Sequence, residues 1–221
     1  VASMASNAGK NMNIQGADGS TSPLLFTPDS GSGPGLVMLM PADASERTVS
    51  ARATLFAEEG YTVLALRGIS TVDDIDNAAC ALAALPEATG GPVCVAHGNV
   101  GVSALQAADA FQAIVAFDLD GLADKPSLVS ACPCPIVLQF GTKGNDIAVT
   151  TAESLRPHIN PTNGSRIYAW PDAAPGFALS GDAAFDSRVD SLAHSRTLEL
   201  IRRVVGPYYD YVALFAEHIR H

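Results

Sequence analysis

The sequence predicts an α/β domain: a mostly parallel central sheet flanked by helices, with an antiparallel hairpin at its N-terminal edge. Three observations predict it. Short apolar runs alternate with segments of helical period along most of the chain. Gly and Pro stand at the ends of these segments. Ahead of the alternation, two short β-prone stretches flank an Asp18–Gly19 turn signal.

In order, Met12–Gln15 and Pro23–Thr27 read as the two hairpin strands, joined through Gly16–Ala17–Asp18–Gly19. Ser30–Gly35 reads as a flexible connector. Leu36–Met40 is a buried strand. Glu46–Glu59 has Val49, Ala53 and Phe56 on one helical stripe and stops at Gly60. Tyr61–Leu66 is β-rich and apolar. Val72–Leu85 is a helix with Val72, Ile75, Ala79 and Leu82 on one stripe, ending at Pro86. Val93–Ala96 is the third apolar strand and Val102–Phe111 the helix after it. Ala113–Phe117, Ile136–Phe140 and Arg166–Ala169 supply the remaining strands. Helices over about Ala148–His158 and Ser187–Val204 complete the pattern. Strands alternating with helices imply βαβ units and right-handed crossovers.

A chain of 221 residues is long enough for one substantial core. Its 13 basic against 23 acidic residues give a net charge of −10, which argues against nucleic acid or an anionic membrane as partner. No stretch approaches the roughly 20 apolar residues of a membrane span. The start, Val1–Asn7, lacks the basic and apolar regions of a signal peptide. A cytoplasmic, reducing location is therefore expected. Of the four cysteines, Cys80 and Cys94 read as small buried hydrophobes. Cys132–Pro133–Cys134 is too closely spaced for a zinc hairpin and precedes the fifth strand at its amino end, so no thiol chemistry is expected there.

Pro92–Val93–Cys94–Val95–Ala96–His97–Gly98–Asn99–Val100–Gly101 reads as a buried strand, a Gly-bounded turn and a helix start. That is the layout of the nucleophile elbow of α/β-hydrolases, with Gly98 where a Ser or Cys would stand. Further blocks are Gly33–Leu39, Ala57–Ala65, Leu85–Thr89, Cys134–Gly141 and Leu192–Thr197. In this order they resemble the dienelactone hydrolases, a branch of the α/β-hydrolase fold, over roughly Pro23 to Arg203. The resemblance implies attack by Cys or Ser on a lactone or ester carbonyl, assisted by His, Asp and a Glu after the first core strand. Carried over, the Glu falls at Pro41 and the nucleophile at Gly98. The acid of the G-x-x-D pattern falls at Gly144, and the His before Gly-Phe falls at Pro175. All four positions have lost the implied chemistry, so the resemblance implies a pseudo-hydrolase with a ligand-binding, scaffold or partner-binding role. The alternative is a divergent hydrolase of a lactone or carboxylic ester.

Two fallback residues stand near the lost set. His97 reads as a hydrogen-bonded core histidine rather than a base. Asp146, two residues past Gly144, reads as a loop carboxylate or cap and would become the acid if Gly144–Asn145 were an insertion. The Asn99 backbone N–H stands where an oxyanion-hole donor would, an anion-binding spot, or simply opens the helix as its cap. Asp118, Asp120 and Asp124 read as a solvated acidic loop, not an EF-hand. His158, His194, His218 and His221 show no metal spacing, and no nucleotide-binding glycine motif follows a strand, so no metal and no cofactor are expected.

The chain divides into an N-terminal segment with the first edge strand (1–22), the α/β domain (23–205) and a C-terminal amphipathic helix (206–221). The last carries Tyr208, Tyr211, Leu214, Phe215 and His218 on one face. It weakly resembles the junction to a fused SnoaL-like domain. A homodimer or a fused domain through residues 208–221 is the expected partner, besides a small-molecule ligand.

Overall fold

The protein, described from a computed structural model, is defined at residues 10–11, 23–69 and 71–208. The expected strand Met12–Gln15, its turn, and the stripe from Tyr211 onward lie outside the described residues.

The described strands form one sheet of eight: β1 (Lys10–Asn11), β2 (Leu24–Phe26), β3 (Gly33–Met40), β4 (Thr62–Arg67), β5 (Ala88–His97), β6 (Ile114–Phe117), β7 (Ile136–Gly141) and β8 (Arg166–Trp170). Their order is β1-β2-β4-β3-β5-β6-β7-β8. β1 pairs antiparallel with β2, and β2 antiparallel with β4; every other pairing is parallel. The antiparallel edge pair is thus present, with its first strand at Lys10–Asn11.

Helices cover both faces. α2 (Val72–Ala83), α3 (Val100–Gln106), α4 (Pro126–Ser130) and α5 (Asp146–Leu155) pack on one side. α1 (Glu46–Glu58) and α6 (Ser187–Val205) pack on the other. Two-sided burial explains why the strands read as unbroken apolar runs. In β3, Val37 and Leu39 face the α2 layer, while Leu36, Met38 and Met40 face the α1 layer, all essentially without exposure. Each such side chain contributes about 1.5–3 kcal/mol. Side chains cap the helix starts: Ser45 accepts from the Thr48 N–H, Thr71 from Asp74, and Asp186 from Arg188 and Val189.

Several expectations need correction. Gly33–Gly35 are not connector but the buried opening of β3. A Cβ on Gly33 would stand 1.9 Å from the Gly60 carbonyl oxygen, so glycine is required there by close packing rather than flexibility. The helices expected to reach Phe111 and His158 end at Gln106 and Leu155 and continue as single 3₁₀ turns. Cys80 is exposed, not buried: Ile75, Ala78, Ala79 and Leu82 form the inner face of α2 and leave it outside. α6 ends at Val205, with Gly206 as its C-cap. Tyr208 beyond it is exposed, with its hydroxyl donating to the Val204 carbonyl. No described helix is long and apolar enough to cross a membrane.

Candidate functional site

The parallel strands end together at one edge of the sheet, where α/β folds place their sites. β5 reaches that edge at His97, which pairs in register with Phe117 of β6. The chain then reverses at Gly98, with φ +76° and its N–H donating to the Phe117 carbonyl at 2.8 Å. A Cβ built on Gly98 would meet only the Pro41 ring, at an ordinary 3.5 Å. The turn therefore has room for a side chain, at the backbone strain a left-handed conformation imposes.

A cavity of about 280 Å³ opens above this turn. Pro41 and Asp43 wall it from the loop after β3. Asp118 enters from the end of β6, and Pro175, Gly176 and Asp182 come from the loop between β8 and α6. Three of the four positions singled out in the sequence, Pro41, Gly98 and Pro175, thus converge on one cavity. Gly144 does not line it: it sits in the turn before α5 with φ +69° and nothing within 4 Å of where a Cβ would be.

Asp118 is not the solvated loop carboxylate expected from sequence. It is a partly buried residue in the left-handed region, φ +54°. Its Oδ1 accepts the Gly141 N–H at 2.7 Å and its Oδ2 the Gly176 N–H at 2.9 Å. Burial pushes its carboxyl up to about 6, against the two N–H donors, which favour the charged form. Asp120 and Asp124 do fit the expectation and are exposed.

His97 is 2% exposed and lies stacked on Phe117, ring centroids 4.5 Å apart. The expected hydrogen bond is missing at Nε2, which finds no partner among the described residues. Burial, and secondarily the Arg52 charge, hold this imidazole well below its ordinary value, so it is neutral at pH 7. Arg52 lies on α1, its guanidinium 5.5 Å from the ring centroids of both Phe56 and Phe117 and paired with Asp190 of α6 at 2.7 Å. Sequence reading missed this pair because its members lie 138 residues apart.

Asp146 is the exposed first residue of α5, away from the cavity; Asn145, not Asp146, caps the helix by accepting the Ala148 N–H. Asn99 precedes the seven-residue α3 but makes no capping bond. Its Oδ1 accepts from Gly121 at 3.3 Å, and it does not line the cavity. No cluster of metal-ligating side chains occurs among the described residues.

No family model matches the chain. Carboxymethylenebutenolidase 1 of Cupriavidus pinatubonensis is 30% identical over 87 residues, covering 39% of this chain and 37% of that protein, well under half its length. The dienelactone hydrolase of Anabaena variabilis superposes with a TM-score of 0.67 at 15% identity, over 86% of this chain and 97% of that one. The chain has the dienelactone hydrolase fold. A dienelactone-hydrolase-like promiscuous phosphotriesterase from metagenomic libraries agrees, with a TM-score of 0.67 and 16% identity over 90% of this chain and 100% of that one. Within the dienelactone hydrolase fold, the turn at Gly98 and the loops after β3 and β8 frame the cavity, and the end of β7 is tied to its rim through Asp118.

Proposed function

We propose that this chain is a non-hydrolytic dienelactone-hydrolase-like protein whose cavity above Gly98 holds a small ligand without cleaving it. One observation supports the reading above all others: the described residues lining the cavity include no hydroxyl, thiol or amine that could attack a carbonyl. Two hydroxyls, Ser45 and Thr48, line the adjoining hollow and are engaged in capping α1 and in a bond to the Ser180 carbonyl.

The lining also favours a ligand class. Among the described residues it carries Asp43, Asp118 and Asp182 and no Lys or Arg. The curated relative's name denotes action on a carboxymethylene butenolide. A carboxylate of that kind would meet like charge here, whereas a neutral or cationic ligand would not. Equilibrium dialysis with small amines, alcohols and carboxylates tests this. The expected result is retention of neutral or cationic compounds, lost in Leu179→Trp, which fills the cavity. Preferred retention of carboxylates, or retention indifferent to Leu179→Trp, would contradict it.

A second reading rests on Asp118. A carboxyl raised to about 6 beside a cavity is placed to take a proton near neutral pH. On that reading the chain is a divergent hydrolase of a lactone or carboxylic ester, working through water activated by Asp118. Asp118→Asn separates the two: it leaves a non-hydrolytic protein's background rate untouched and abolishes the divergent hydrolase.

The proposal includes a cytoplasmic setting and an association through residues 208–221. Light scattering with and without those residues checks the second, with a concentration-dependent mass expected only when they are present.

A further inference from the structure

At the end of the sheet opposite the cavity, the loop between α4 and β7 carries Cys132 and Cys134 on either side of Pro133. Their sulfurs lie 3.7 Å apart. Cys132 is partly exposed, while Cys134 is buried and belongs to the core on the α2–α5 side of the sheet. The loop is held on both sides. The Cys132 N–H donates to Val129 at 3.4 Å, the Pro135 carbonyl accepts from Ile114, and the Ile136 N–H donates to the Ser165 hydroxyl. Two thiols are thereby fixed in near contact, one open to solvent and one behind it.

We propose that Cys132 and Cys134 form a thiol–disulfide exchange pair whose co-reactant is a low-molecular-weight disulfide. The Cys132 thiolate attacks one sulfur of the disulfide, forming a mixed disulfide and expelling one thiolate. The Cys134 thiol, losing its proton to water, then attacks the Cys132 sulfur. The intramolecular disulfide forms, the mixed bond breaks, and the second thiolate leaves. The protein dithiol loses two electrons and two protons; the small disulfide gains them as two thiols.

The electrostatics agree with this division of roles. The Cys132 thiol is held down to about 7, chiefly by the hydrogen bond from the Cys134 thiol, so much of it is thiolate at neutral pH. The same bond, with burial, pushes Cys134 up, keeping its proton until the resolving step. Cytosolic disulfides of this kind are typically transient and redox-responsive.

The full chain, incubated with oxidised glutathione as probe and then alkylated, tests the pair by peptide mass mapping. The expected product is a Cys132–Cys134 disulfide, with exposed Cys80 still alkylatable or only slowly modified. Cys134→Ser is expected to accumulate glutathione on Cys132, and Cys132→Ser to slow the reaction of this loop at least tenfold. Alkylation of Cys132 by iodoacetamide is expected to follow an apparent pKa near 7. The proposal is overturned if the wild-type chain modifies Cys80 as fast as Cys132, or if its Cys132 and Cys134 both remain alkylatable. The wild-type mapping decides the matter even if Cys134→Ser does not fold.

Discussion

Asp118 and Gly176 stand 58 residues apart in the chain, yet the Gly176 N–H donates to Asp118 Oδ2 at 2.9 Å. The other carboxylate oxygen takes the Gly141 N–H. One side chain just past β6 therefore ties the end of β7 to the loop after β8. Asp118→Ala removes both acceptors at once and leaves two N–H groups to find others. It is expected to lower the unfolding free energy by about 2 kcal/mol, measured by urea denaturation.

The same carboxyl gives stability a pH dependence. Its folded value of about 6 stands above the ordinary 3.8, so the folded chain keeps this proton where the unfolded chain has lost it. Its contribution is most favourable below about pH 4 and declines, by at most about 3 kcal/mol, as pH rises through 6. Asp118→Asn has no such proton. The stability of wild type relative to Asp118→Asn is therefore expected to fall between pH 4 and 7. His97 acts in the opposite sense: its folded value lies below the ordinary 6.5, so the stability it confers is present above that pH and lost as pH falls.

Arg52 and Asp190 form a buried ion pair, with side chains 2% and 13% exposed. Arg52→Leu strands a carboxylate in the core and is expected to cost about 3–5 kcal/mol. Adding Asp190→Leu removes that stranded charge and is expected to recover most of the loss. A double-mutant cycle by chemical denaturation reads the coupling.

Gly98→Ser places a hydroxyl on the elbow with no other part of the machinery restored. The 3.5 Å clearance to Pro41 admits the side chain, and the φ of +76° makes it cost about 1–2 kcal/mol. The variant is expected to fold, with a slightly lower Tm, and to gain no ester hydrolysis, because Pro41 and Pro175 supply neither acid nor base. Hydrolysis gained by this single change would show that Asp118 or His97, which line the same cavity, serves the turn as a base.

The sheet was legible because both its faces are buried: Leu36–Met40 and Val93–Ala96 carry no polar position to obscure them, and Ile136–Phe140 carries one, Gln139. The helices were legible through their apolar stripes and their Gly60 and Pro86 stops; the Ser45 and Thr71 caps emerged only in the structure. The edges of the reading failed where composition and packing conflict. Gly33–Gly35 look like a linker, but the missing side chain at Gly33 admits the Gly60 backbone. Within the site, the elbow at Gly98 was readable from local order alone, and Pro41 and Pro175 from their place in the chain. Asp118 was not, since its burial depends on two loops that arrive from later in the sequence. Neither was the His97–Phe117 stack or the Arg52–Asp190 pair, which exist only once α1, β5, β6 and α6 have packed. The proximity of the Cys132 and Cys134 sulfurs was likewise hidden, because C-x-C spacing does not fix which way two side chains point.

The central claim is that the cavity above Gly98 binds without cleaving, and steady-state hydrolysis of an activated ester and of a dienelactone by the purified chain, beside Asp118→Asn and a protein-free control, tests it most directly. The account predicts that wild type, variant and control give the same rate, with no covalent adduct by intact mass. A wild-type rate well above the control that disappears in Asp118→Asn would contradict it.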